Sequence, residues 1–185
     1  WVRSGDGAPA AKFEPFVVDL GAFDGKLSSN TYNFFQLGPS WSGLLVEASP
    51  RTMALAKENT RGFCTLGNRI LYEQVLVSAE DTRPGAIGVL ALRPNPTQNE
   101  FLRGGAAEGE VVEVPIKSIR QLLAAHAVPQ RLALLSVDVE GQGLALVRRV
   151  LDLGYKPQYI VVEMGRASFD GYDHIAQIRY NQMYR

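Results

Sequence analysis

The sequence predicts an α/β domain built on a doubly wound, mostly parallel sheet. Three observations lead there. From Phe16 onward, short apolar runs alternate with stretches of helical period, which is the pattern of successive βαβ units. The runs are nearly continuous in Val, Ile and Leu rather than alternating, as strands covered on both faces require. The 185 residues, 46% hydrophobic and 21% charged, suffice for one sizeable core.

Taken in order, residues 1–14, with Gly5, Gly7 and Pro9, read as a tail before a single domain over 15–185. "FVVDL" (16–20) is the first strand. "KLSSNTYNFFQL" (26–37) predicts a helix with Leu27, Thr31, Phe34 and Phe35 on one stripe, stopped by Gly38-Pro39. "GLLVEA" (43–48) is the second strand, and Ser49-Pro50 starts a helix carrying Met53, Ala56 and Lys57 towards Asn59. "ILYEQVLVS" (70–78) reads as one third strand, with extra strands at 86–93 and 111–117. Between these two, the Pro-, Gly- and Asn-rich segment 94–110 predicts a mobile surface loop. Ser118 and Gln121 have capping-box spacing ahead of a helix over 119–127. "LALLSVDVEG" (132–141) is the fourth strand. A helix over 144–154 follows, with Leu144, Val147 and Leu151 inward, and "QYIVVEM" (158–164) is the fifth strand.

Composition excludes several classes. A formal net charge of zero supplies no broad attraction to nucleic acid or anionic membrane. The single cysteine, Cys64, excludes an internal disulfide and a cysteine-based zinc site, and reads as a small buried apolar residue. No apolar run approaches the ~20 residues of a membrane helix, and a cytoplasmic location fits. The chain begins at Trp1, so a removed signal or anchor stays open.

Acids recur where the strands end: Asp19, Glu47, the pair Asp138 and Glu140, and Glu163. Ligands of open parallel sheets bind outside the carboxyl ends of the strands, so this topology would gather five carboxylates around one crevice. The turn "DLGAFDG" spaces its glycines G-x-x-x-G, not G-x-G-x-x-G, and sets Asp19 and Asp24 beside them. A pyrophosphate would be repelled there. A ligand with an ammonium group, a sulfonium and a ribose diol would be suited, and S-adenosylmethionine is such a ligand. Glu47, ending the second strand, has the position from which an acid accepts hydrogen bonds from both ribose hydroxyls.

The blocks "VVDLGAFDGKLSSNT", "WSGLLVEASP", "VLVSAED", "VPIKSIRQLL", "LLSVDVEGQG" and "YIVVEM" stand in the order found in FkbM-type methyltransferases. The resemblance runs from about Phe16 to Met164. It implies a Rossmann-like, class I methyltransferase sheet with an antiparallel C-terminal edge from 171–185, and S-adenosylmethionine-dependent O-methylation, often of sugar or polyketide hydroxyls. By this resemblance Asp19, Gly21, Ala22 and Gly25 would form the cofactor turn, with Ser29, Asn30 and Thr31 beside the methionine end. Glu47 would hold the ribose, Val77 and Ser78 would border the adenine, and Asp138 and Glu140 would face the transfer site. Three departures stand out. Phe23 replaces the usual asparagine, Gly143 replaces a second glutamate after "DVEG", and little room remains for a helix before the last strands.

Methyl transfer to a hydroxyl needs near-attack geometry and a route for one proton. Asp138 and Glu140 are the candidate bases, Asp138 preferred for its place at the strand tip. Asp138, Glu140 and Glu163 are also hard oxygen donors of a kind that a divalent cation accepts, but no ligand spacing calls for one. His126, ending a helix, reads as a dipole partner or surface residue, and His174 is a weak candidate base. Tyr32, Phe34 and Phe35 read as core, Trp41 as packing near the sheet edge, and Arg148 and Arg149 as a solvated helix face. The expected partner is a small-molecule or sugar acceptor, without nucleic acid. The rivals are a catalytically inactive domain of the same fold kept for protein interaction, and a nucleotide-dependent oxidoreductase.

Overall fold

The computed structural model describes residues 12–27, 29–92, 100–101, 110–139, 141–163, 167–178 and 181–185. Its larger sheet has seven strands: β1 (Glu14–Leu20), β2 (Ser42–Val46), β3 (Arg69–Glu73), β8 (Leu132–Val137), β9 (Tyr159–Glu163), β10 (His174–Ile178) and β11 (Asn181–Tyr184). Their order is β10-β11-β9-β8-β1-β2-β3. The pairs among β3, β2, β1, β8 and β9 are parallel, while β11 runs antiparallel to both β9 and β10. The doubly wound sheet with an antiparallel C-terminal edge is therefore present. Among the described residues, no helix stands between β9 and β10.

The apolar strands alternate their side chains between two helical layers. Val17, Leu45, Leu134 and Val161 join Phe35 on one face, which α1 (Tyr32–Gln36) and α2 (Pro50–Thr65) cover. Val18, Leu20, Leu44, Leu135 and Ile160 meet Leu122, Leu146 and Val150 on the other, from α3 (Ile119–Ala125) and α4 (Gly143–Asp152). Each such Leu or Val contributes about 1.5–3 kcal/mol by leaving water. Ser49 caps α2 with Pro50 in its first turn, and Ser118 and Gln121 form the full capping box of α3. Of the aromatic residues read as core, Phe35 is buried on Phe63 and Phe34 is half-buried on Trp41, while Tyr32 lies half-buried against Phe63 outside the core cluster.

Several expectations are corrected. The helix expected over 26–37 begins only at Tyr32. Asp24 Oδ1 accepts from the Lys26 and Leu27 amides, and Ser29 Oγ from those of Thr31 and Tyr32, so side-chain turns replace the first helical turns. Leu27 consequently points out, 64% exposed. The buried face of α4 is Gly143, Leu146, Val147 and Val150, with Leu144 and Leu151 only half-buried. Cys64 is exposed rather than buried, in weak contact with the Tyr72 hydroxyl.

The third strand divides. After Glu73 the chain turns through Gln74 and Val75, and β4 (Leu76–Ser78) joins a second, four-stranded sheet. That sheet has the order β4-β7-β5-β6, with β5 (Ile87–Leu92), β6 (Glu100–Phe101) and β7 (Glu110–Ser118). The extra strands expected at 86–93 and 111–117 are thus β5 and β7, paired antiparallel. The loop expected over 94–110 falls largely outside the described residues, apart from Glu100–Phe101 on β5 and Glu110 on β7.

Candidate functional site

The sequence places an acid at or just beyond the end of each central strand, and the parallel order brings those ends to one rim. Between that rim and the second sheet lies a crevice of about 600 Å³. Its floor and one wall come from Asp19, Gly21, Ala22, Phe23, Glu47 and Asp138, with Ser29, Asn30 and Glu163 beside them. Its opposite wall is Val75, Leu76, Val77 and Ser78 with Leu90 and Ile116 from β5 and β7.

Glu47, one residue past β2, is the best-organised acid of the site. Its Oε2 accepts from the Phe23 amide at 2.9 Å and its Oε1 from the Ser49 amide at 2.8 Å. Glu47 also lies on the crevice lining. Burial pushes its pKa up, against hydrogen bonds from the Ser49 and Phe23 amides, the Thr52 side chain and the Ala48 amide. Glu47 thus also holds the turn after β1 in place.

Asp19 lies deeper, 3% exposed at the end of β1. It accepts from Thr31 Oγ1 at 2.7 Å and from Ser136. Burial raises its pKa from 3.8 to about 6, the Thr31 and Ser136 bonds oppose this, and the nearby Asp138 charge adds to it. Thr31 is fully buried and serves Asp19 from behind the crevice wall. Asn30 reaches the same cluster through Ser136 Oγ at 3.2 Å.

The glycines of the turn have reasons within the chain itself. Gly21 has φ +84°, and a Cβ there would stand 1.9 Å from the Asp138 carbonyl oxygen. That close packing accompanies the bond from the Asp138 amide to the Leu20 carbonyl at 2.8 Å. Gly25, φ +68°, packs on Ala56 of α2 and does not line the crevice. Asp24, expected beside a ligand, spends its carboxylate on the turn and also lies outside the lining. Phe23 itself has φ +51°, a left-handed conformation that a bulky side chain adopts at a cost and asparagine tolerates.

Of the ten residues expected at a cofactor, Asp19, Gly21, Ala22, Ser29, Asn30, Glu47, Val77 and Ser78 line the crevice, while Gly25 and Thr31 support it. Asp138 lines it with an exposed side chain, and Glu140 lies outside the described residues. Gly143 faces β9, where an added Cβ would meet Val162 Cγ2 at 3.2 Å, so the packing is fitted to glycine. His174 bonds Gln182 and lies outside the lining, while His126 caps α3 and pairs with Glu73. Arg148 is exposed and Arg149 reaches Asp81 at 3.0 Å. Sequence reasoning missed the apolar wall of Val75, Leu76, Leu90 and Ile116, and with it Glu80, Thr82 and Gln142. The polar pair Glu73-Gln74 inside an apolar run was the available signal for it. Among the described residues, no three His, Cys, Asp or Glu side chains are grouped to hold a metal ion, and no helix is long and apolar enough to cross a membrane.

A doubly wound sheet with an antiparallel edge and an acid-rimmed crevice at its carboxyl ends defines a Rossmann-like domain of the methyltransferase class. The family model "Methyltransferase FkbM domain" matches residues 19–184, and the chain belongs to that family. No curated protein matches it.

Proposed function

We propose that this chain is an S-adenosylmethionine-dependent methyltransferase acting on a hydroxyl oxygen of a small molecule or sugar. The observation that carries the cofactor reading is Glu47, whose carboxylate is fixed by backbone amides on the crevice lining. The donor set fits. Glu47 suits a ribose diol, the half-apolar wall of Leu76, Val77, Leu90 and Ile116 suits a purine, and Asp19 suits an ammonium group. The bound cofactor would supply a methyl group activated on a sulfonium.

The chain's own residues would then orient an acceptor and accept its proton. Asp138 stands past β8 on the crevice with its backbone anchored to Leu20, so its side chain alone is free to turn to an acceptor hydroxyl. Glu163 lies on the same rim. Most of the rate would come from holding the oxygen in line, with Asp138 taking the proton as it leaves.

Calorimetric titration with S-adenosylhomocysteine, with NAD as control, tests the cofactor. Binding of the former alone is expected, and a screen of hydroxylated acceptors follows. Binding of NAD alone would favour an oxidoreductase. Binding of neither would favour a fold kept for protein interaction.

A further inference from the structure

Three side chains, Glu73, Lys117 and His126, meet outside the crevice lining. Glu73, the last residue of β3, accepts from Lys117 Nζ at 2.6 Å through Oε1, and its Oε2 lies 2.6 Å from His126 Nε2. The Glu73 and His126 side chains are 19% and 18% exposed. Distances this short mark charge-assisted bonds to the half-buried carboxylate. Burial would raise the Glu73 carboxyl, yet the bonds from Lys117 and His126 outweigh it and hold it below the usual range.

Of the three elements that contribute, β7 lines the crevice through Ile116, and β3 and the end of α3 lie next to it in the chain or the sheet. The Glu73 carbonyl accepts from the Glu47 amide at 3.2 Å. Lys117 follows Ile116 of the apolar wall and is the register partner of Val77. His126 ends α3, the helix that Ser118 starts. Along the chain, only Gln74 and Val75 separate β3 of the large sheet from β4 of the small one. The Lys117 bond therefore crosses from the large sheet to the small one beside this join.

We propose that Glu73 is a positioning residue: tied to Lys117 and His126, it holds the second-sheet wall in place against Glu47. The ligand affinity of the crevice then depends on a charge that touches no ligand.

Amide hydrogen exchange on the intact chain, comparing wild type with Glu73→Gln, tests this without a cofactor. Exchange at Glu47 and at residues 76–78 should rise about tenfold, the scale set by losing a hydrogen bond to a charged group, while β9 and β11 stay protected. Lys117→Met, which keeps the stem and removes the ammonium, should give the same local pattern and serves if Glu73→Gln does not fold. Unchanged exchange at those amides would overturn the assignment, and so would an equal rise through β9 and β11, which would mark general destabilisation. A second arm rests on the proposed cofactor: the dissociation constant for S-adenosylhomocysteine should rise about five- to tenfold in Glu73→Gln. If wild type binds no S-adenosylhomocysteine while local exchange still responds, the cofactor reading fails and the positioning role stands.

Discussion

Replacing Asp19 with asparagine isolates the cost of holding a charge under the crevice. The carboxyl is 3% exposed and its pKa is raised by burial from 3.8 to about 6. The folded chain therefore holds this proton more tightly than the unfolded one. The sign follows from linkage: stability falls as pH rises through the interval between the two values, and the loss is complete above about 6. At pH 7 the ionised group costs about 3 kcal/mol, and at pH 4.5 about 1 kcal/mol. Asparagine has nearly the same shape, can still accept from Thr31 Oγ1, and carries no charge.

Urea unfolding of both proteins at pH 7 and pH 4.5 measures the effect. The stability difference, variant minus wild type, should be more positive at pH 7 by about 2 kcal/mol. Other acids titrate alike in both proteins and cancel, as do pH-independent changes such as an imperfect amide contact to Ser136. A difference that is the same at both pH values would refute the reasoning, because Asp19 would then be as readily ionised in the folded chain as in the unfolded one.

Three further outcomes are expected. Glu47→Gln should weaken S-adenosylhomocysteine binding by about 1.5–3 kcal/mol, the scale of a hydrogen bond to a charged group, and calorimetry reads it directly. Asp138→Asn should lower kcat for a responsive acceptor while leaving cofactor affinity near that of wild type; equal losses would make Asp138 a cofactor ligand instead. Phe23→Asn should stabilise the fold by about 1 kcal/mol in urea, since asparagine accepts the φ of +51° that phenylalanine resists.

The sheet was legible because its signals are local. Continuous apolar runs, the Ser49-Pro50 start and the Ser118/Gln121 box each act within a few residues, and each appears where expected. Failures came where a distant partner decides. "ILYEQVLVS" has the composition of one strand, yet pairing of Leu76–Ser78 with Ile116–Ser118 draws its second half into another sheet. Nothing within those nine residues encodes that competition except the polar Glu73-Gln74. Gly21 lines the crevice as expected of the cofactor turn, but its closest packing is inside the chain. The nearest atom is the Asp138 carbonyl oxygen, 117 residues away in sequence, a contact that no local pattern announces.

The same limit explains why equally spaced acids differ so much in character. Read along the chain, Asp19, Glu47 and Asp138 are all acids at strand ends. Asp19 still belongs to β1, between β2 and β8, and is walled in by Thr31 and Ser136. Glu47 stands one residue beyond β2, where two backbone amides can reach it. Asp138 stands one residue beyond β8 and keeps an exposed side chain. In register Asp19 stands two residues before Glu47 and Asp138, which both follow the partners of Leu20; between those two, the Phe23 and Ser49 amides make the difference. That gradation suits the proposed methyl transfer: a buried acid for a cation, a fixed acceptor for a sugar, and an exposed carboxylate for a proton.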